Sequence, residues 1–215
     1  MNLFKYILCP KIVQYRKPKL RNLGFLYLLY FIIVALLIPA ISIISSYFGI
    51  VHISPKGFDK STLLVGVFLA PIYEEILCRL GLVLSKKNYY FLLICLFTLV
   101  IVELVRVRYL LSGIFLFLFI ILFCINFTNK SNLKFLFIKY FRFIFWFSAL
   151  LFGLLHATNF QGNTLVILLF SPLLCFPQII MGLILGYIRM NYGFIYGVLI
   201  HFVINSIMLL NLIHK

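Results

Sequence analysis

Acidic residues are almost absent from this chain of 215 residues. It has 4 Asp and Glu against 19 Lys and Arg, and 11% of its residues are charged. A soluble domain averages about 25% charged residues, so an ordinary water-soluble globule is excluded. The 5 cysteines form no CxxC pair, which argues against a zinc site or a disulfide framework. No segment alternates apolar and polar residues with a period of two, as a membrane strand would. The apolar segments of the chain are therefore predicted to be helices.

Apolar residues make up 65% of the chain and are concentrated in long runs. A helix of about 20 apolar residues crosses a hydrocarbon layer about 30 Å thick. We therefore predict an all-α, polytopic transmembrane helical bundle of about seven spans. The predicted spans are 23–45, 61–84, 89–104, 109–126, 139–159, 164–188 and 193–213. The basic segment 133–142 is expected to lie partly along the membrane interface.

The distribution of basic residues predicts the orientation. Residues 1–22 form a basic tail without acids, and residues 23–60 are predicted to be the first transmembrane helix and an outer loop. With a cytoplasmic N-terminus, 14 basic residues lie on the cytoplasmic side and 5 on the outer side, as expected from the positive-inside rule. The positive charge is thus explained by topology, and no nucleic-acid partner is expected.

The second predicted span contains two adjacent acids and a cation. Glu75 and Arg79 are four residues apart with the acid first, so they lie on one helix face in the favourable order for an ion pair. Glu74 lies about 100° around the helix and has no such partner there. A charge inside an apolar span is costly, so Glu74 must meet a group from another span. A purely structural charge cluster is the alternative interpretation.

Two later spans carry polar residues at the same spacing. Phe152 and His156 share a face of one span, and His201 and Asn205 share a face of the last one. Each pair alone is also typical of interhelical hydrogen bonding. At 1.5 Å rise per residue, however, Glu74, His156, His201 and Asn205 all lie about 15–21 Å from their cytoplasmic ends. Their convergence would give each of them a polar partner.

These residues form three ordered motifs, Glu74-Glu75-xxx-Arg79, Phe152-xxx-His156 and His201-xxx-Asn205. Together they resemble the signature of the CPBP family, the CAAX protease and bacteriocin-processing membrane proteins also called Abi. The segment from Gly182 to His201 resembles the last two helices of that family. The resemblance covers roughly 61–213, which is therefore predicted to be a CPBP/Abi-like membrane protease domain. Cys78 and Leu80 depart from the usual pattern, and an additional hairpin over 89–126 explains the long gap between the first two motifs.

The resemblance implies a membrane-embedded, glutamate-dependent endopeptidase similar to type II CAAX prenyl proteases. Peptide hydrolysis needs an activated water and donors for the oxyanion that forms. On this basis Glu74 is the expected general base and His156 holds the same water. His201 and Asn205 are the expected oxyanion donors. Glu75, Arg79 and Phe152 are expected to support them, and no cofactor is expected.

Several alternatives remain open at this stage. Glu74, His156 and His201 form a zinc-compatible set, although the chain has no HExxH helix. A thiol protease based on Cys78 is disfavoured because a neighbouring carboxylate does not promote a thiolate. A non-catalytic bacteriocin-immunity or membrane scaffold protein would bind a membrane-protein partner. A transporter is less favoured because no paired broken helices are evident.

The expected partners are the lipid bilayer and a peptide or protein substrate in or at the membrane. Prenylated CAAX peptides, bacteriocin precursors and signalling-peptide precursors all fit. The abundance of Ile, Phe, Lys, Asn and Tyr is typical of a low-GC bacterium, so the expected location is a bacterial cytoplasmic membrane.

Overall fold

A computed structural model describes residues 3–53, 64–107, 109–125 and 130–213. The part of the chain that it describes is 84% helical, which confirms the predicted all-α fold class. The described residues form ten α-helices: α1 (Leu3–Leu8), α2 (Leu20–Tyr47), α3 (Ala70–Arg79), α4 (Lys86–Val105), α5 (Tyr109–Ile125), α6 (Lys130–Lys139), α7 (Phe141–Leu155), α8 (Thr164–Leu174), α9 (Phe176–Tyr192) and α10 (Phe194–Ile213). A π-helix at Leu64–Leu69 leads into α3, and 3₁₀ turns follow α3 at Leu80–Leu82 and α7 at His156–Asn159.

Several helices are long and apolar enough to cross a membrane. These are α2, α4 and the continuous segment Phe141–Asn159. The pair of helices α8 and α9 passes the same test together, with a bend of 44° between them. Shorter apolar helices lie at Ser112–Cys124 and Phe194–Ile207. The fold therefore suits a membrane, while the number of seven spans and the orientation of the N-terminus stay predictions.

The segment 164–188 was predicted to be one continuous span, but the structure divides it into α8 and α9. The break lies at Cys175, and Pro177 occupies the first turn of α9. Proline is tolerated in a first helical turn because its missing N–H would have no partner there. It therefore fits the start of a second helix better than the interior of a single one. Among the described helices this is the one bent pair that passes the test for a membrane span.

The centre of the bundle is α9, which contacts α1, α2, α7, α8 and α10. Two glycines allow α7 and α9 to approach closely. A Cβ atom at Gly153 would lie 2.9 Å from the backbone nitrogen of Ile179, and one at Gly182 would lie 2.9 Å from the carbonyl oxygen of Ala149. Small residues at such crossings are typical of packed membrane helices. This contact fixes α7, which carries Phe152 and leads into His156.

The predicted basic tail is partly folded onto the bundle. Tyr6 of α1 is fully buried, in edge-to-face contact with Phe145 and Tyr187, and its hydroxyl donates a hydrogen bond to the carbonyl of Lys11. Burial raises the pKa of the Tyr6 hydroxyl, so it remains a donor. Further along, the backbone N–H of Arg16 donates to the carbonyl of Asn191 over 2.8 Å. Residues 3–16 thus form a strap across one end of the bundle.

A two-stranded antiparallel sheet connects the end of α2 to the turn that follows α7. Strand β1 (Val51–His52) pairs with β2 (Phe160–Gln161), so that His52 lies opposite Phe160. Next to this sheet, the N–H of Ile53 donates to the carbonyl of Asn159 over 2.7 Å. These bonds hold the 3₁₀ turn that begins at His156.

The additional hairpin predicted over 89–126 corresponds to α4 and α5, which pack along each other. The side chain of Ser85 caps α4 by accepting a hydrogen bond from the N–H of Asn88. Helix α4 also packs against α3. The hairpin therefore lies beside the helix that carries the two adjacent glutamates.

Candidate active site

The two adjacent glutamates of α3 meet a histidine from α10. His201 is fully buried, with its Nδ1 3.1 Å from Oε1 of Glu75 and its Nε2 3.4 Å from Oε2 of Glu74. Nη1 of Arg79 donates to the same Oε1 of Glu75 over 2.9 Å. These contacts link Arg79, Glu75, His201 and Glu74 in one continuous polar chain. The expected ion pair and the expected partner for Glu74 from another helix are both present in the structure.

Phe152 lies beside these polar side chains and is fully buried. The guanidinium of Arg79 lies 3.8 Å from the centre of its ring. The rings of His156 and His201 lie 5.0 Å and 5.6 Å from the ring of Phe152, measured between centroids. A cation above an aromatic face is stabilised most when it is desolvated, as it is here. Phe152 thus fixes the positions of Arg79 and of both imidazoles.

The hydrogen bond of His156 defines its tautomer. Its Nδ1 lies 2.8 Å from the carbonyl oxygen of Phe152. A carbonyl oxygen can only accept, so Nδ1 carries the hydrogen and Nε2 of the neutral imidazole is an acceptor. Nε2 is therefore the atom that can receive a hydrogen bond from a water.

The two ring nitrogens of His201 face the two adjacent glutamates. Oε1 of Glu75 accepts a hydrogen bond from Arg79, and Nδ1 of His201 lies on the same oxygen. If Glu75 is ionised, Nδ1 donates to it, and Nε2 of a neutral His201 then has a lone pair facing Glu74. Two acceptors at 3.4 Å repel each other. The contact is thus favourable when either Glu74 is protonated or His201 is an imidazolium.

Glu74 and His156 line the same cavity, which has a volume of about 220 Å³. Its wall combines this carboxyl and imidazole with apolar side chains from α3, α4, α5 and α7. The lining residues are Tyr73, Glu74, Leu77, Leu99, Glu103, Phe115, Phe152, Leu155, His156, Thr158 and Asn159. The cavity is large enough for several waters, so a water can contact Glu74 and His156 together.

His201 and Asn205 are not among the described residues that line this cavity. The side-chain Nδ2 of Asn205 donates over 3.0 Å to the carbonyl of Gly66, which belongs to the π-helix before α3. Asn205 therefore connects α10 to the entry of the helix that carries Glu74. Of the four predicted catalytic residues, the structure brings Glu74 together with His201 and, across the cavity, with His156, while Asn205 contacts the backbone nearby.

Helix α10 passes close to α3 at a glycine. A Cβ atom at Gly197 would lie 3.1 Å from Oε2 of Glu75. Behind the site, Nε of Arg189 donates over 3.3 Å to the carbonyl of Arg79. Sequence reasoning did not include Gly197 and Arg189 in the site, and the signal for Gly197 was its place one helical turn before His201.

Sequence reasoning also missed Glu103 of α4, which is 7% exposed and lines the cavity. It lies at the end of the predicted span 89–104. The signal that could have identified it is the scarcity of acids, because it is one of only 4 in the chain. The side chains of Thr158 and Asn159 also lie in the wall, in the turn that follows His156.

A metal site needs several ligand side chains that converge on one point. Within the described residues, no group of three or more His, Cys, Asp and Glu side chains is arranged to hold a metal ion. In the zinc-compatible set, Nε2 of His201 faces Glu74 and Nδ1 of His156 is bonded to a backbone carbonyl. Cys78 is buried and lines a different, apolar cavity.

Comparisons with known proteins identify one family. The family model for Rce1-like type II CAAX prenyl endopeptidases matches residues 133–207. This match supports membership of the CPBP/CAAX protease family. It agrees with the family resemblance of the two later motifs, which lie within the matched residues. The matched range contains His156, His201 and Asn205, whereas Glu74, Glu75 and Arg79 lie before it.

At the family level, the match supports a type II CAAX intramembrane protease acting on a peptide or protein substrate. No curated protein matches the chain. No solved structure matches it either.

Proposed function

We propose that this CAAX-protease-family chain is an intramembrane endopeptidase that hydrolyses a peptide bond of a membrane-associated peptide or protein, with Glu74 as the general base. The observation that carries the proposal is the cavity into which Glu74 and His156 both project. Glu74 comes from α3, and His156 begins the turn after α7. The match to type II CAAX prenyl endopeptidases supports the same reaction.

In the proposed reaction, a water is held between the carboxylate of Glu74 and Nε2 of His156. Glu74 takes one proton as the water oxygen forms a bond to the carbonyl carbon, and the electron pair of the carbonyl moves to its oxygen. The tetrahedral intermediate then collapses, the carbon–nitrogen bond breaks, and Glu74 returns the proton to the leaving nitrogen. General-base groups of this kind contribute typically about 10²–10⁴-fold to the rate.

We assign the stabilisation of the oxyanion to His201 and Asn205. An oxyanion donor often contributes on the order of 3 kcal/mol. Nε2 of His201 donates when this residue is an imidazolium, and the amide of Asn205 has a second hydrogen besides the one bonded to Gly66. This role requires the substrate carbonyl to reach the α10 side of Glu74. Glu75, Arg79 and Phe152 hold the imidazoles and Glu74 in position in this scheme.

The predicted topology favours one class of substrate. With a cytoplasmic N-terminus and about seven spans, the cavity is reached laterally or from the cytoplasmic side of a bacterial membrane. An amphipathic or lipid-modified peptide then reaches the site more easily than a folded globular protein. The proposed reaction uses no cofactor.

The proposal is tested by replacing Glu74 with glutamine, which keeps its shape and removes the base. Membrane peptides from cells that express the wild-type chain or Glu74→Gln are compared by mass spectrometry. We expect a precursor to accumulate and its product to disappear in Glu74→Gln, with wild-type levels of both in the control Cys78→Ala. Identical peptide profiles for wild type and Glu74→Gln would refute the proposal.

Purified protein distinguishes the two mechanisms of water activation. The peptide that accumulates in Glu74→Gln cells is incubated with wild-type protein before and after strong chelation. We expect cleavage to persist after chelation. Loss of cleavage that zinc restores would replace the glutamate mechanism by a metal-dependent one.

The same variant also separates catalysis from binding. An immunity or scaffold protein would work through its surface, so its phenotype should survive Glu74→Gln. A host phenotype of the chain that is retained in full by this variant would therefore favour a binding function.

A further inference from the structure

A second cavity lies outside the candidate active site. Its volume is about 460 Å³, against about 220 Å³ for the cavity at Glu74. Its wall is formed by α3 and the 3₁₀ turn after it, by the hairpin α4–α5, and by α6 and α7. Apolar side chains such as Leu92, Phe147 and Leu151 provide most of this wall. The proposed reaction does not use this cavity.

The two ends of the second cavity differ in polarity. At one end lie Ser85, Asn88 and Tyr89, around the start of α4, together with Tyr140, just before α7. From Tyr140 to Leu151 the cavity follows α7 for about 16 Å, at a rise of 1.5 Å per residue. This depth is about half of a hydrocarbon layer about 30 Å thick. The cavity therefore has the length of one membrane leaflet, with its polar end at a membrane surface.

Five exposed basic residues flank the polar end, each within two positions of a residue that lines the cavity. Nζ of Lys139 lies 5.3 Å from the centre of the ring of Tyr140, which belongs to the wall. The described glutamates lie on α3 and near the carboxyl end of α4, and no ion pair among the described residues involves these cations. We call these residues the basic cluster: Lys86, Lys87, Lys134, Lys139 and Arg142.

The wall suits a hydrocarbon chain better than a polypeptide. The side chains of Asn88, Tyr89 and Ser148 line the cavity, and each already donates a hydrogen bond to a backbone carbonyl of the protein. A peptide that entered the cavity would leave its own N–H and C=O groups without partners, which is unfavourable in an apolar medium. An acyl chain carries no such groups.

We propose that this cavity binds one acyl chain of an anionic phospholipid, whose headgroup lies on the basic cluster. The apolar wall fits the chain, the depth fits one leaflet, and the positive charge fits the phosphate. Clusters of about four to eight Lys and Arg residues at the membrane surface bind anionic lipids. In the predicted orientation this lipid belongs to the cytoplasmic leaflet. The inference is independent of the proposed peptidase function.

The test uses purified full-length protein in micelles of an uncharged detergent. Phosphatidylglycerol is the anionic probe, and phosphatidylcholine with the same acyl chains is the zwitterionic control. Native mass spectrometry over a range of lipid concentrations gives the number of lipids retained and their dissociation constants. Two competitors are added in separate experiments at the concentration of the lipid: glycerol phosphate, which lacks an acyl chain, and a neutral apolar peptide.

We expect the wild-type protein to bind one phosphatidylglycerol at least about tenfold more tightly than phosphatidylcholine. Replacing Lys139 and Arg142 together with glutamine should weaken phosphatidylglycerol binding about tenfold, because two cations of the basic cluster are lost. The control replaces Lys5 and Lys11, two exposed residues of the strap over 3–16, with glutamine. It removes the same charge and should leave the affinity unchanged.

A second pair of variants tests the acyl chain. Gly81 lines the cavity, and a Cβ atom there would lie 3.6 Å from Cδ2 of Leu92, in ordinary contact. Gly81→Leu should therefore fill part of the cavity and weaken phosphatidylglycerol binding about tenfold. Gly113→Leu adds the same side chain to α5, where a Cβ atom meets nothing within 4 Å, and should bind the lipid as the wild type does.

Equal affinities of the wild type for the two lipids would overturn the inference. Equal losses in the two double variants would also overturn it, because they would indicate diffuse attraction to the whole basic surface. Displacement of the lipid by glycerol phosphate or by the peptide, or unchanged binding in Gly81→Leu, would mean that no acyl chain occupies the cavity. The double variants change exposed side chains, so they keep the test valid if Gly81→Leu does not fold.

Discussion

Replacing Arg79 with methionine should destabilise the protein strongly. Arg79 and Glu75 are both fully buried, with 2.9 Å between Nη1 and Oε1. Methionine retains the apolar stem and removes the charge, the hydrogen bond and the contact with the face of Phe152. Removing one partner of a buried ion pair costs about 3–5 kcal/mol, because the other charge is left uncompensated. We expect the free energy of unfolding to fall by about this amount.

The second contact of Glu75 limits this loss. Nδ1 of His201 lies 3.1 Å from the same carboxylate oxygen and can share a proton with it. The double variant Arg79→Met, Glu75→Gln should therefore lose less than Arg79→Met alone, because no buried charge is left without its partner. Arg106, whose side chain is 58% exposed in its contact with Glu103, provides a control, since Arg106→Met should cost less than about 1 kcal/mol.

The assay is denaturant or thermal unfolding in micelles, followed by tryptophan fluorescence. The chain has a single tryptophan, Trp146, and it lies in α7, the helix that carries Phe152. A cost below about 1 kcal/mol for Arg79→Met, or a double variant that loses as much as the sum of the single variants, would refute this account of the buried pair.

Two further predictions concern packing. Gly153→Ala places a methyl 2.9 Å from the backbone of Ile179, so it should destabilise the protein by about 1–3 kcal/mol and reduce peptide cleavage. Gly24→Ala is the control, because its methyl meets nothing within 4 Å, and it should not reduce cleavage. Equal cleavage by the two variants would contradict the close crossing of α7 and α9. Tyr6→Ala should cost about 3–5 kcal/mol in the same unfolding assay, and Tyr6→Phe about 0.5–1.5 kcal/mol for the lost hydrogen bond. A negligible effect of Tyr6→Ala would mean that the strap over residues 3–16 does not stabilise the bundle.

The scarcity of charge made the fold class and the first motif predictable from sequence. Helical spacing predicted the ion pair of Glu75 and Arg79, because residues four apart lie on one face whatever the tertiary structure. It also predicted that Glu74 must find its partner elsewhere. The identity of that partner, His201, depended on the three-motif resemblance together with comparable depths in the membrane.

Other features depend on contacts that no local pattern contains. The pairing of β1 with β2 joins residues more than a hundred positions apart, and strands of two residues leave no periodic signal. The burial of Tyr6 in the core could not be predicted, because the basic residues around it are typical of an exposed tail. The break at Cys175 could have been predicted, because Pro172 and Pro177 lie close on either side of it.

In the proposed reaction the two adjacent glutamates have different roles, because they point in different directions from α3. Glu75 is fully buried, and one of its oxygens already interacts with Arg79 and His201. Glu75 is not among the described residues that line the cavity. The side chain of Glu74 is 29% exposed, touches His201 through one oxygen and lines the cavity. A water that enters the cavity therefore meets Glu74, while Glu75 controls the histidine behind it.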